Sequence, residues 1–125
     1  MQTTWLYQTA AAQASTDSYA DVGFTDEIDG SVATVVRAFT SGPLSAMIKN
    51  PHGTNGVTYR ILGSNDQTLA DADWAIVTAE AGLAALAKVE VTHALAYYLF
   101  YKVQVKATSA GNQGSATVNV LHKRV

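Results

Sequence analysis

One stretch limits what this chain can fold into more than any other, the run from Tyr97 to Thr108. Its odd positions are Tyr97, Leu99, Tyr101, Val103, Val105 and Ala107, and its even positions are Tyr98, Phe100, Lys102, Gln104, Lys106 and Thr108. Successive side chains of a strand point to opposite faces, so sustained period-two alternation of aromatic and β-branched residues predicts a β-strand. Ser109-Ala110-Gly111-Asn112-Gln113-Gly114 follows as a turn cluster. Ala116, Val118 and Val120 then alternate with Thr117 and Asn119. Two alternating runs around a Gly/Asn loop predict an antiparallel hairpin, with residues 97–108 paired to 114–121.

The remainder reads the same way. Val32–Thr40 is rich in Val and Thr. Leu44, Ala46 and Ile48 alternate with Ser45, Met47 and Lys49, and Val57, Tyr59 and Ile61 with Thr58, Arg60 and Leu62. Trp74–Thr78 and Lys88–Thr92 are further short strands. About eight strands at short spacing predict an all-β fold, a sandwich or barrel, and the expectation is a single antiparallel β-sandwich. The expected core is Leu99, Tyr101, Val103, Val105, Val118 and Val120, with Val57, Tyr59, Ile61, Trp74, Ile76, Val89 and Val91. Residues 1–20 read as an N-terminal arm and residues 21–125 as the sandwich domain. Trp5 and Tyr7 are the arm's expected anchors, since aromatics supply large contact area. Thr3–Gln8 also has the composition of a first sandwich strand. Ala10–Ala14 has helical propensity over too short a run to hold a helix.

Composition bears on what surrounds the fold. The chain contains no cysteine, which excludes disulfides and thiolate metal sites. Apolar residues make up 48% and charged residues 14%, below the usual quarter. So low a charge predicts that part of the surface is covered by a partner. The net charge of −2 offers no global attraction to nucleic acid. No apolar run is long enough to span a membrane, and no secretory signal is expected. Residues 1–30 contain acids and no Lys or Arg, whereas no acid follows Glu90. Lys102, Lys106, Lys123 and Arg124 are therefore expected to face an acidic surface.

Catalytic chemistry is hard to find. His52, His93 and His122 have no ligand spacing. Asp26-Glu27-Ile28-Asp29-Gly30 clusters oxygens but does not fit an EF-hand loop, and Asp71 and Asp73 read as solvated loop acids. There is no nucleophile elbow and no phosphate loop. The expectation is a protein that is not an enzyme and carries no cofactor and no metal. Tyr98 and Phe100, on the face opposite Tyr101, are candidate interface anchors, because aromatics are enriched at interface cores.

Two resemblances add to this reading. Tyr59-Arg60-Ile61-Leu62-Gly63-Ser64-Asn65-Asp66, then Trp74-Ala75-Ile76-Val77, then Tyr97–Val105, resembles discoidin-type jelly rolls, with Gln67 where those carry glycine. That likeness implies a jelly-roll-like sandwich and, as an alternative function, a carbohydrate-binding module for virion adhesion or receptor binding. The small cysteine-free domain rich in Ala, Thr, Val and Gly, with its arm and its Tyr101-Lys102-Val103-Gln104-Val105-Lys106-Ala107-Thr108 strand, resembles head decoration (cement) proteins of tailed bacteriophages. That second resemblance implies a structural virion protein, assembled in the host cytoplasm, that binds the major capsid protein at the capsid surface. It also implies a homo-oligomer, specifically a trimer.

Overall fold

The computed structural model describes residues 4–9, 11–26, 30–38, 42–93 and 96–123. In chain order the strands are β1 (Thr4–Gln8), β2 (Gln13–Ala14), β3 (Ala20–Asp21), β4 (Phe24–Asp26), β5 (Val32–Ala33) and β6 (Val36–Arg37). There follow β7 (Leu44–Lys49), β8 (Val57–Ser64), β9 (Ala75–Leu83), β10 (Lys88–His93), β11 (Phe100–Ala107) and β12 (Ser115–Lys123). A single 3-10 turn, Asp71–Asp73, precedes β9. The larger sheet has the order β10-β7-β12-β1-β4-β5, with β2 also on β12. The smaller has the order β3-β11-β8-β9, with β6 also on β11. The fold is an antiparallel β-sandwich whose inner faces meet in one core. Val57, Tyr59, Ile61, Tyr101, Val103 and Val105 come from the smaller sheet, and Ile48, Val118 and Val120 from the larger.

The expected hairpin is not formed. β11 pairs with β8, β3 and β6, whereas β12 pairs with β7, β1 and β2. The loop at 108–114 therefore carries the chain from one sheet to the other, and the two alternating runs face each other across the core. Alternation marks an inner face but does not say which sheet owns it. Packing at the crossing decides the matter. A Cβ on Gly114 would lie 2.8 Å from the Asn55 carbonyl oxygen and 2.8 Å from a Val57 methyl, so only glycine admits so close an approach. Buried Asn50 organises the same end of the sandwich. Its amide donates to the carbonyls of Asn55 (2.8 Å) and Leu83 (3.3 Å) and accepts from the His52 N–H (3.1 Å).

Six further expectations change. The segment expected as an arm is woven into the larger sheet: β1 pairs with β12 along its whole length and with β4 at its end. The expected boundary after residue 20 falls inside β3. The Val32–Thr40 run is divided, β5 joining β4 in one sheet and β6 joining β11 in the other. Leu99 is exposed, because the chain bends before β11 and turns Tyr98 inward. The Tyr98 ring meets Tyr101 edge-on at 6.1 Å, and its N–H donates to the Tyr101 hydroxyl at 2.9 Å. Ile76 is 64% exposed, because it stands opposite Leu62 on the outer face of the smaller sheet. Val89 and Val91, on an edge strand, are half-buried.

Candidate interaction surfaces

The outer faces of the two sheets differ. On the smaller sheet the outward residues of β8 and β11 lie under the chain's own loop. Leu62 and Trp74 are buried there, as are Lys102 and Gln104. The loop after β8 folds back so that Asp71 accepts from the Lys102 ammonium and, at 2.7 Å, from the Gln104 amide. Gln104 also donates to Asp21 at 2.8 Å and accepts from Arg60 Nε at 2.8 Å. Lys102 Nζ lies 4.4 Å from the centre of the Trp74 ring, a desolvated cation–π contact. A second set lies alongside it. The Arg60 guanidinium sits 4.0 Å and Lys106 Nζ 4.7 Å from the centre of the Tyr19 ring, and the Tyr19 hydroxyl donates to Glu80 at 2.6 Å.

These contacts account for the shifted acidities. Hydrogen bonds from Lys102, then Gln104, hold the Asp71 carboxyl below its ordinary value. The Tyr19 hydroxyl, then Lys106, does the same for Glu80. Burial, then the bond to Glu80, pushes the Tyr19 phenol up. The shifts arise within a network that fastens β3 and the 65–74 loop to the sheet.

The outer face of the larger sheet is open. Cross-strand register sets its outward residues in rows: Thr92, Ser45, Leu121 and Leu6 in one, and Glu90, Met47 and Asn119 in the next. The third row holds Lys88, Lys49 and Thr117. The first two rows line a shallow groove of about 340 Å³. Leu6, Met47 and Leu121 form its half-buried apolar floor. The alternation of β7 already placed Met47 outward in the sequence. Which strands would stand beside it, and so bring Leu121 and Leu6 to it, was not legible.

The expected interface residues are scattered. Tyr7 is buried in the core at 4% exposure, and Lys102 at 5% is paired within the chain, so neither reaches a contact surface. This corrects their reading as interface residues. Aromatic content marked Tyr7 as an anchor, and period-two inward packing claimed it. Tyr98 is half-buried against Gly63 and Val77, and Phe100 is half-buried in β11. Lys106 is held by Tyr19 and by Glu80 at 4.0 Å. Lys123 is exposed at the end of β12. Trp5 lies in β1 opposite His122, its side chain outside the described residues, as is all of Arg124. No cluster of three His, Cys, Asp or Glu side chains suited to a metal ion occurs among the described residues.

No protein-family model matches the chain, and no curated protein does. Among solved structures it is similar to a protein from work titled "Bacillus endospore appendages form a novel family of disulfide-linked pili". The match covers 100% of this chain and 92% of that one at 14% identity, with a TM-score of 0.50. The likeness is one of fold.

Proposed function

We propose that this chain is a non-enzymatic structural protein that works by docking, and in its finer form a decoration protein that binds and stabilises an assembled phage head. The groove on the outer face of the larger sheet carries this reading. A sandwich that covers Leu62 and Trp74 on one outer face with its own loop, and leaves Leu6, Met47 and Leu121 half-exposed together on the other, has a surface suited to a protein partner. Fully burying a side chain of this size contributes about 1.5–3 kcal/mol. A protein that binds only the assembled shell shifts assembly by mass action. Further support is chemical. Tyr19, Asp71 and Glu80, whose acidities are shifted, stand on the other sheet's outer face away from the groove, whereas a catalytic site usually gathers such groups in a cleft.

The glycan-binding alternative is less well supported. Sugar-binding grooves use exposed aromatic faces, and no aromatic lines the groove. Tyr97 is the only aromatic with an exposed side chain among the described residues. A pilus-like subunit is the other assembly the fold brings to mind. Disulfide linkage, as in the endospore pili, is closed to these 125 residues, which contain no cysteine.

Co-sedimentation with phage heads assembled without the protein tests the proposal, with a glycan array as counterpart. The expected result is saturable binding to heads and none to glycans. Saturable glycan binding without head binding overturns it.

A further inference from the structure

At the end of the larger sheet's outer face two lysines stand side by side. Lys88 of β10 is directly opposite Lys49 of β7, and both are exposed. Like charges at directly opposed positions repel and destabilise a sheet. No carboxylate forms an ion pair with either among the described residues. Glu90 is one row away, opposite Met47. The pair borders a second concavity of about 300 Å³, lined also by Asn50, Pro51, Leu86 and Ala87.

Leu86 is the second observation. It has φ +62°, a left-handed conformation that glycine or asparagine adopts at far lower cost. Its side chain is 73% exposed. A bulky apolar residue held in a strained backbone state and turned to solvent points to a contact made outside the chain. Two cations beside an exposed leucine and a proline fit an anionic segment that also carries an apolar side chain.

The chain itself contains such a segment. Residues 65–73 are all exposed and carry Asp66 and Asp73 with Leu69, and no Lys or Arg, while Asp71 is already paired with Lys102. This loop leaves β8 at Ser64. The lysine pair lies at the opposite end of the strands, where Asn50 bonds the carbonyls of Asn55 and Leu83. From this charge complementarity we infer that the Lys49–Lys88 corner of one copy receives the 65–73 loop of a second copy. Because donor and acceptor surfaces differ, the contact is heterologous, and each copy keeps one of each for further neighbours. The inference concerns contacts between copies and holds whether or not the groove binds a phage head.

Sedimentation velocity on the full chain over a range of concentration and salt tests it. Wild type should associate beyond a dimer, less so at high salt. Lys49→Glu with Lys88→Glu should be monomeric, as should Asp66→Lys with Asp73→Lys. An equimolar mixture of the two double variants should associate again, since each then offers what the other lacks. Leu86→Gly should fold at least as stably and associate more weakly. A wild type that stays monomeric overturns the inference, as do double variants that associate like wild type or a mixture that does not recover. Head binding that survives in the Lys49/Lys88 variant leaves the docking reading standing when this one fails.

Discussion

Asp71 and Lys102 show how a residue's role depends on what folds over it. Lys102 is an outward position of β11, yet it is buried because the loop bearing Asp71 and Trp74 closes above it. Asp71 ordinarily titrates at 3.8 and is lowered here by Lys102 and then Gln104. A lowered carboxylate stabilises the fold fully above its ordinary value, and that contribution is lost as pH falls through the folded value. Wild type should therefore lose stability below about pH 4. Asp71→Asn should cost about 1 kcal/mol at neutral pH, a modest figure because the carboxylate is half-exposed. The variant should also lose less on acidification, as urea unfolding at pH 7 and pH 3 would record. Gly114 makes the opposite kind of prediction. Gly114→Ala should cost about 1–3 kcal/mol through overpacking against the Asn55 carbonyl. Gly82→Ala, with nothing within 4 Å, should be near neutral in the same melts. The burial of Lys102 and Gln104 was not legible in the sequence, because nothing there showed that the acid facing Lys102 would be Asp71 of the chain's own loop.

At the scale of elements, β1 is the instructive case. Its pairing with β12 and β4, and the burial of Tyr7, make it part of the sandwich. Deleting residues 2–16 removes β1 and β2 and strips β12 of two partners. The truncated chain should lose cooperative thermal unfolding by circular dichroism, and a sharp transition retained after truncation would make the segment a separable arm. Tyr7→Ala alone should cost about 3–5 kcal/mol by analogy with other large aromatic truncations. Existence and inner face were legible for β7, β8, β11 and β12, because a half-buried strand advertises itself by alternation. Partners were not. β11 and β12 alternate alike whether they lie beside each other or face each other, and only the fit of Gly114 against Val57 distinguishes the two. β5 and β6 read as one strand because nothing in Val32–Thr40 shows that the chain changes sheets. Ile76 likewise faces outward, opposite Leu62, without a signal in its composition.

At the scale of the molecule, the two outer faces divide the work. One is closed by an internal polar network, and the other presents the groove floored by Leu6, Met47 and Leu121. The low charge content read from the sequence is consistent with a covered surface, but the sequence did not say which face. Met47→Lys places a charge on that floor, opposite Glu90, without touching the core. It should weaken binding to heads by at least roughly tenfold, about 1.4 kcal/mol, at unchanged melting temperature. The most direct test of docking through this face is oxidative footprinting of Met47, free and on heads. Met47 is half-exposed in the free chain, so it should oxidise readily in solution and be protected once the protein is bound. Protein that co-sediments with heads while Met47 oxidises as fast as in the free chain would contradict the account.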